Sequence, residues 1–175
     1  LLGPNGAGKT TVCNLLEKKP YIKKSISVTT RPPRHNEKNG EAYYFVSHAE
    51  FEQMIQRGDL AEHAMYCGHY YGTPLRPLEK AAEEDVIYLL EIEVQGALQI
   101  MERFPHAISI FLLPPEKETL FHRLKQRNVN SKQDLLLRLE TADKELLYKD
   151  KYKFCVVNDN LDTTINTIRR ILDLK

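Results

Sequence analysis

The chain has 175 residues and a mass of 20.3 kDa, which is the size of one domain that can bury a hydrophobic core. Hydrophobic residues make up 42% of it and charged residues 28%, and the mean hydropathy is -0.46. This balance excludes intrinsic disorder and fibrous repeats. The formal net charge is +1, which argues against a nucleic-acid partner bound through bulk charge.

The sequence also bears on location. No apolar run approaches the roughly 18 residues that a membrane span needs, and no signal peptide is recognisable. The three cysteines are odd in number and have no C-x-x-C spacing, which disfavours a disulfide scaffold. We therefore expect a cytoplasmic protein with no membrane partner. Only two apolar residues precede Gly3, fewer than the roughly five of a strand, so we expect further residues upstream.

Hydrophobic periodicity predicts alternating strands and helices along the chain. Strands are predicted at 25–29, 43–46, 60–65, 69–72, 86–92, 107–113 and 154–158. Helices are predicted at 10–19, 47–58, 77–82, 95–103, 116–125 and 131–148, and after Asp162. Long helices between buried strands favour an α/β fold with a parallel sheet covered on both faces.

Several helix ends have specific signals. Ser47 and Glu50 have the spacing of a capping box, and Gly58 is a typical helix stop. Ser131 and Asp162 are the predicted N-caps of the last two helices. A turn at Cys67-Gly68 should join the two strands around it into a hairpin.

A phosphate-binding pattern, G-x-x-x-x-G-K-[ST], is matched by residues 3–10, which read Gly-Pro-Asn-Gly-Ala-Gly-Lys-Thr. Glycines allow backbone N–H groups to surround a phosphate, and the following helix directs its positive end at the same anion. Lys9 should neutralise the β- and γ-phosphates of a nucleotide, and the Thr10 hydroxyl should bind Mg²⁺.

The spelling of this loop also resembles that of ABC transporter ATPases, which is an alternative interpretation. Such domains carry an L-S-G-G-Q signature and a strand ending in Asp-Glu. This chain has no such signature, and its strand at 86–92 runs into Glu91-Ile92-Glu93. The sequence therefore disfavours an ABC ATPase.

A second phosphate site is indicated after the strand at 25–29. Arg31 and Arg34 lie three residues apart on a loop that two prolines stiffen, and a guanidinium can bind a phosphate through two hydrogen bonds. Tyrosines at 43, 44, 70 and 71 could donate to a phosphate or stack on a base. A solvated basic loop with tyrosines in the core is the alternative, and spacing alone does not decide between them.

Together with these motifs, several further segments give the chain a strong resemblance to guanylate kinase over almost its whole length. The segments read Ser-Val-Thr-Thr-Arg-Pro-Pro-Arg at 27–34, Tyr-Tyr-Phe-Val-Ser at 43–47, Gly-His-Tyr-Tyr-Gly-Thr at 68–73, Glu-Ile-Glu-Val-Gln-Gly at 91–96 and Val-Val-Asn-Asp-Asn-Leu-Asp at 156–162. The resemblance implies an enzyme that transfers the γ-phosphate of ATP to GMP or dGMP, with Mg²⁺ as cofactor.

The resemblance also implies the site residues. ATP would be bound by Gly3, Pro4, Asn5, Gly6, Ala7, Gly8, Lys9, Thr10, Thr11, Asn158 and Asp159. GMP would be bound by Ser27, Arg31, Arg34, Tyr43, Glu62, Tyr71, Thr73 and Glu93. The catalytic residues would be Lys9, Arg34, Arg123, Arg127 and Arg138. Thr10 would bind Mg²⁺, with Glu91 or Glu93 contributing through water.

Among the residues expected to bind GMP, Glu62 has a clear chemical reason to recognise guanine, since a carboxylate can accept hydrogen bonds from guanine N1–H and N2–H₂ together. Adenine lacks both donors, so a buried Glu62 should discriminate strongly against it. The family usually has Asp where Glu93 stands and Gly-Arg-Gly where this chain has Gln126-Arg127-Asn128. We expect the substitutions at 126 and 128 to alter the hinge of a lid that closes when both nucleotides are bound.

The resemblance implies a three-layer, parallel-sheet P-loop kinase core with a small mixed α/β insertion and a helical lid. We predict one domain over 1–175, with the core at 1–30, 75–122 and 139–175, the GMP-binding insertion at 31–74 and the lid at 123–138, in a monomer or weak homo-oligomer. Two related alternatives are a non-catalytic scaffold domain and a small kinase with another acceptor. The intact Lys9 argues against the first, and the combination of Glu62, Tyr71 and Thr73 argues against the second.

Overall fold

The computed structural model describes residues 1–81, 83–84, 86–125 and 132–174. The chain divides into two compact units. The terminal unit comprises Leu1–Lys18 and Ile108–Lys175, and the central unit comprises Lys19–Ala107. Among the described residues, none of the helices combines the length and apolar character that crossing a bilayer requires.

Both units contain helices together with parallel strand pairs, which confirms the predicted α/β class. The helices are α1 (Lys9–Leu16), α2 (His48–Arg57), α3 (Leu75–Ala81), α4 (Val94–Arg103), α5 (Lys117–Lys125), α6 (Lys132–Leu146) and α7 (Leu161–Ile171), with a 3₁₀ turn at Lys149–Lys151. The strands are β1 (Ile22–Lys24), β2 (Val28–Thr29), β3 (Tyr44–Phe45), β4 (Leu60–Tyr66), β5 (His69–Pro74), β6 (Ile87–Leu89), β7 (Ile110–Leu113) and β8 (Phe154–Val157).

The terminal unit is built around the parallel pair of β7 and β8, in which Ile110 lies opposite Phe154. Leu2 joins β7 from the other side, because its N–H donates to Ile110 O at 2.9 Å and its carbonyl accepts from Leu112 N at 2.7 Å. Phe111 and Leu112 are fully buried, as expected for a strand with neighbours on both edges. The predicted phosphate loop therefore begins directly after a strand-like residue.

The helices of the terminal unit pack through apolar side chains. Leu120 and Leu124 of α5 form a buried cluster with Ala142 of α6. The predicted N-cap of α7 is wrong. Asn160, not Asp162, is the N-cap, because its side chain accepts a hydrogen bond from Thr163 N at 3.0 Å, whereas Asp162 lies in the first helical turn. Both residue types suit a helix start, so composition alone could not place the boundary.

The central unit contains a four-stranded sheet in the order β3-β2-β5-β4, with β2 parallel to β3 and antiparallel to β5. The predicted hairpin is confirmed: β4 and β5 pair antiparallel and turn at Cys67 and Gly68, both of which have positive φ. The capping box of α2 and its end at Gly58 are also confirmed. Phe51 of α2 packs in the buried core of this sheet.

The strand predicted at 25–29 is reduced to β2, and β1, which lies just before it, was not predicted. β1 ends at Lys24 and pairs parallel with β6, and Ser25 N still donates to Leu89 O at 3.0 Å. Two residues later the chain has changed partner, since Ser27 O accepts from Tyr44 N at 2.9 Å. An alternating pattern marks extended chain but does not mark where it changes sheet. The strands predicted at 86–92 and 107–113 are likewise shorter, at β6 and β7.

Candidate active site

The phosphate loop of the terminal unit depends on glycine at two positions. Gly8, the N-cap of α1, has φ of 97°, and a Cβ there would collide with Asn158 Nδ2. Gly3 has φ of 138°, and a Cβ there would collide with the carbonyl oxygen of Leu112. Side chains are excluded at both positions by backbone conformation and by close neighbours. The loop can therefore present main chain, rather than side chains, to a ligand.

Lys9 is the first residue of α1, and its side chain folds back over the loop. Lys9 Nζ donates to Gly3 O at 2.6 Å and is 3.3 Å from Pro4 O. Its ammonium group therefore lies beside a helix N-terminus, where the helix dipole also favours an anion. Thr10 and Thr11 follow on the first turn with exposed side chains.

Asn158 directly supports this loop from the end of β8. Its Nδ2 donates to Ala7 O at 2.7 Å, and its Oδ1 accepts from Thr164 Oγ1 at 3.1 Å. The backbone carbonyl of Asn158 also accepts from Arg123 Nη2 at 3.2 Å. Asn158 is predicted to bind ATP. In the structure its buried amide connects the phosphate loop to the first turn of α7.

A cavity of about 460 Å³ opens between the loop, α5 and the segment after β8. It is lined by Gly6, Gly8, Thr11, Asn158, Asp159 and Arg123, among others. Its volume is within the range of small-ligand sites. The structure thus brings five of the predicted ATP residues to one cavity, together with one of the predicted lid arginines.

The predicted lid arginines differ in their placement. Arg123 lies on α5, and its Nη1 is buried without a hydrogen-bond partner among the described residues. Arg138 lies on α6. Arg127, with Gln126 and Asn128, falls outside the described residues, so the predicted hinge stays a prediction.

Glu145 is a residue of this site that the sequence analysis missed. It lies on α6, its Oε2 is buried without a hydrogen-bond partner in the described part of the chain, and burial raises the pKa of its carboxyl. The positive charge of Lys9 and a hydrogen bond from the backbone N–H of Asn5 act in the opposite direction. Glu145 follows the buried Ala142 by three residues, a spacing that would have placed it on the inner face of α6.

In the central unit, Glu62 and Thr73 form a buried pair. They lie opposite each other on β4 and β5, and Thr73 Oγ1 donates to Glu62 Oε1 at 2.6 Å. Glu62 is 5% exposed and Thr73 fully buried. Burial raises the pKa of Glu62 to about 7, against the opposing effect of the Thr73 hydrogen bond. The register of the hairpin thus brings together two of the predicted guanine-reading residues.

Arg31, Tyr43 and Tyr71 form a second group in the central unit. The Arg31 guanidinium lies 5.5 Å from the ring centroid of Tyr43, and the rings of Tyr43 and Tyr71 meet edge-on at 6.0 Å. The position of Arg31 follows from β2, because its N–H donates to Thr29 Oγ1 at 3.1 Å. Three residues predicted to hold the GMP phosphate are therefore neighbours.

Glu37 joins this group, although the sequence analysis did not single it out. Its Oε1 accepts from Arg31 Nη2 at 2.9 Å and its Oε2 from the backbone N–H of Arg34 at 2.8 Å. Although burial acts the other way, these hydrogen bonds lower the pKa of the Glu37 carboxyl. The Arg34 side chain is exposed on the same loop, and it is the backbone N–H of Arg34 that hydrogen-bonds to Glu37.

Three further predicted residues also lie in the central unit. Ser27 lies between β1 and β2. Glu91 Oε2 forms an ion pair with Lys24 Nζ at 2.9 Å. Burial is the main cause that raises the pKa of Tyr43 to about 12, and the negative charge of Glu91 is the next largest. Glu93 is the N-cap residue of α4. No group of three or more acidic, His or Cys side chains is gathered at one point within the described residues.

Comparison with known proteins decides the family. The family model described as guanylate kinase matches residues 1–175. The chain belongs to the guanylate kinase family. Two guanylate kinases illustrate the similarity: that of Desulfitobacterium hafniense (strain Y51) is 44% identical over 98% of this chain and 86% of its own length. That of Caldanaerobacter subterraneus subsp. tengcongensis is 44% identical over 97% and 83%.

The guanylate kinase fold is confirmed by a solved structure. The crystal structure of guanylate kinase from Anaplasma phagocytophilum is 35% identical, has a TM-score of 0.81, and covers 98% of this chain and 81% of that chain. The predicted P-loop kinase fold is therefore correct. Because the guanylate kinase match extends over the whole chain, the ABC ATPase interpretation is set aside.

Proposed function

We propose how the residues of this chain carry out the reaction of its family. As a guanylate kinase, the chain transfers the γ-phosphoryl group of ATP to GMP and so produces ADP and GDP. The single observation that best supports this substrate pair within the chain is the buried carboxylate of Glu62, which Thr73 holds through its hydroxyl and its backbone.

On the donor side, the phosphate loop and Lys9 bind the phosphates of ATP. The support is the run of left-handed glycines, the N-terminus of α1 and the ammonium group of Lys9, which together make an anion site. Asp159 and Thr11, which share the cavity with the loop, contact the rest of the nucleotide. Asn158 contributes by holding the Ala7 carbonyl and so the shape of the loop.

Mg²⁺ is the proposed cofactor, and Thr10 is its proposed protein ligand. Magnesium keeps most of its water and needs few protein ligands when phosphates bind it, so one exposed hydroxyl beside Lys9 fits the ion. When bound, the ion neutralises charge on the β- and γ-phosphates during transfer. A contribution of Glu91 or Glu93 through water stays a prediction from the family resemblance.

On the acceptor side, Glu62 and Thr73 read the guanine, and Ser27 and Glu93 assist. Ionised Glu62 has one oxygen engaged by Thr73 and lone pairs left to accept from guanine N1–H and N2–H₂. With adenine, the buried carboxylate would face an acceptor and have no donor, which costs several kcal/mol. Guanine is thus selected because the buried carboxylate of Glu62 loses free energy of binding when no donor of the base faces it.

The GMP phosphate is bound by Arg31, Arg34, Tyr43 and Tyr71. The proposed role of Arg31 is supported by its neighbours, because Tyr43, Tyr71 and Glu37 all interact with its guanidinium. The exposed Arg34 lies on the same loop and can add a second guanidinium. Rigid placement of the acceptor matters because phosphoryl transfer depends chiefly on alignment and charge neutralisation.

The arginines Arg123, Arg127 and Arg138 are proposed to neutralise the transferred group. Arg123 has the strongest support, because it borders the cavity of the loop and has a buried nitrogen without a partner in the described residues. We also propose that the chain acts as a single domain with the core, insertion and lid assigned above, as a monomer or weak homo-oligomer in the cytoplasm.

The experiment that tests this function is a product assay with ATP and Mg²⁺. GMP should be converted to GDP with equal formation of ADP, and AMP, CMP and UMP should react at least ~10³-fold more slowly. Omission of Mg²⁺ should abolish turnover. Equal turnover with AMP and GMP would refute the role of Glu62, and binding of ATP without turnover of any monophosphate would refute the catalytic assignment.

A further inference from the structure

Gly96 lies at the closest approach between α4 and the guanine-reading carboxylate. A Cβ at this position would collide with Glu62 Oε2 and come within 2.7 Å of Glu62 Cδ. Gly96 is helical, and its backbone conformation is one that any residue can adopt. The structure therefore requires glycine here for room beside Glu62 and not for backbone freedom.

Gln99, one turn further along α4, holds the helix to the strand that carries Glu62. Its Nε2 donates to His63 O at 2.8 Å, and its Oε1 accepts from His63 N at 3.2 Å. β4 is the last strand of its sheet, so these two backbone groups face away from β5. The amide of Gln99 thus pairs with β4 as a neighbouring strand would.

Arg103 makes a third connection from the same helix, through Nη1 to Leu60 O at 3.3 Å. Leu60 and His63 lie on the two sides of Glu62 along β4, and the strand pairing is irregular between Leu60 and Glu62. α4 therefore fixes the backbone of β4 at a point where the regular pairing of β4 with β5 is interrupted.

We propose that Gly96 and Gln99 are positioning residues that set guanine specificity by fixing the place of the Glu62 carboxylate. The inference rests on the proposed role of Glu62 in reading guanine. Two donors of one rigid base must meet one carboxylate, so a displacement of about 1 Å breaks at least one hydrogen bond. Gly96 supplies the space for the carboxylate, and Gln99 sets the strand from which it projects.

Gly96→Ala separates this role from a structural one. Alanine favours a helix over glycine, so helix propensity alone predicts an equal or higher Tm. Displacement of Glu62 instead predicts a rise of about tenfold or more in the KM for GMP, with the KM for ATP within twofold of the original. Gln95→Ala, at the exposed neighbouring position of α4, is the matched control and should change neither constant.

IMP, which lacks the 2-amino group of GMP, reports on the placement of the carboxylate itself. In the unaltered enzyme, kcat/KM should be much higher for GMP than for IMP. In Gly96→Ala and in Gln99→Leu, which removes both hydrogen bonds to His63, that ratio should fall by about tenfold. Glu62→Asp in the Gly96→Ala background shortens the acid by one methylene and relieves the collision, so the double variant should lose less than the sum of the two single losses.

The outcomes distinguish a failure of the proposed function from a failure of the positioning role of Gly96 and Gln99. An unaltered enzyme that does not phosphorylate GMP would overturn the proposed function. An active enzyme whose Gly96→Ala and Gln99→Leu variants keep the GMP to IMP ratio would overturn the positioning role alone, as would an equal rise in the KM for ATP. If Gly96→Ala does not fold, Gln99→Leu decides by the same ratio.

Discussion

In the terminal unit the proposed ATP site is made largely of main chain, whereas in the central unit the proposed GMP site is made of side chains. The phosphate loop uses glycines, a helix N-terminus and one lysine within eight consecutive residues. The proposed acceptor residues come mainly from the segments on either side of β2, from the residue before β3, and from β4 and β5. The first arrangement suits phosphate, which every nucleotide carries; the second suits one base.

The two arrangements also differ in how they manage charge. Lys9 donates to carbonyls of its own loop, and its charge also acts on the carboxyl of Glu145. Glu62 is buried beside Thr73, its hydrogen-bond partner, and burial raises the pKa of Glu62 to about 7. Discrimination between bases therefore depends on a costly buried charge held in one place.

Removal of Lys9 should give the largest effect and tests the donor side of the comparison. Lys9→Ala removes the charge closest to the loop and should lower kcat by roughly 10²–10³-fold in a coupled ADP assay. The affinity for GMP, measured by calorimetry, should stay within about twofold. Lys18→Ala, an exposed lysine just beyond α1, is the control. A normal kcat in Lys9→Ala would refute the assignment.

Replacement of Glu62 should be nearly as severe but selective for the acceptor. Glu62→Gln should lower kcat/KM for GMP by roughly 10²-fold or more, with the KM for ATP unchanged. With Glu62 present, kcat/KM for GMP should rise with pH through about 7, because only the carboxylate accepts both guanine donors. Glu62→Gln should keep only the titration of the phosphate of GMP near pH ~6. An identical pH profile in both proteins would contradict this prediction.

The Glu62 carboxyl should make stability depend on pH in the opposite sense: the free energy of unfolding should fall as pH rises, whereas kcat/KM should rise. Its folded pKa of about 7 is above the ordinary 4.5, so the folded protein binds this proton more tightly than the unfolded chain. The contribution of Glu62 is fully present below pH 4.5 and is lost as pH rises through about 7, a change of about 3 kcal/mol. Glu62→Gln should therefore raise Tm at pH 8 and change it little at pH 5. A lower Tm at pH 8 would show that the charged form is stabilised.

Arg34→Ala tests the phosphate end of the acceptor site. Because the side chain is exposed, its loss should leave folding intact and raise the KM for GMP by about tenfold. ATP binding should be nearly unchanged. Lys38→Ala, an exposed cation of the same loop, serves as the control. Weaker ATP binding with unaltered GMP affinity would contradict the assignment of Arg34 to GMP and would assign it to ATP.

Asn158→Ala should have the smallest effect on turnover and acts on stability. It leaves the Ala7 carbonyl without its Asn158 donor and removes one of several acceptors of the Thr164 hydroxyl, which costs about 1–3 kcal/mol and should lower Tm by several degrees. The KM for ATP should rise a few-fold as the loop loosens. Asn14→Ala, at an exposed position of α1, is the comparison. An unchanged Tm with a large rise in the KM for ATP would favour direct contact between Asn158 and the nucleotide.

The phosphate loop could be predicted because its chemistry is contiguous: glycines and a lysine at fixed spacing describe the local conformation. The β4–β5 hairpin could be predicted from alternation and a turn, although β5 extends beyond the predicted end at 72 to include Thr73. The change of sheet between β1 and β2 could not, since extended residues look alike whichever sheet they join.

Residues whose importance is steric or long-range were not predictable. Gly96 within a helical pattern carries no sign that a carboxylate fills the space beside it. Gln99 and Glu145 lie on ordinary amphipathic helices, and their partners are distant in sequence. The N-cap of α7 was missed because Asn160 and Asp162 are both good capping residues and only the backbone decides between them.

The ion pair between Arg31 and Glu37 has a consequence for how the acceptor enters. Arg31 Nη2 donates to Glu37 Oε1 at 2.9 Å, and Nη1 donates to Pro32 O at 2.7 Å. Nη2 carries a second N–H, so an anion that binds Arg31 can share this nitrogen with Glu37. The guanidinium is thus already oriented by one anion before a second anion reaches it.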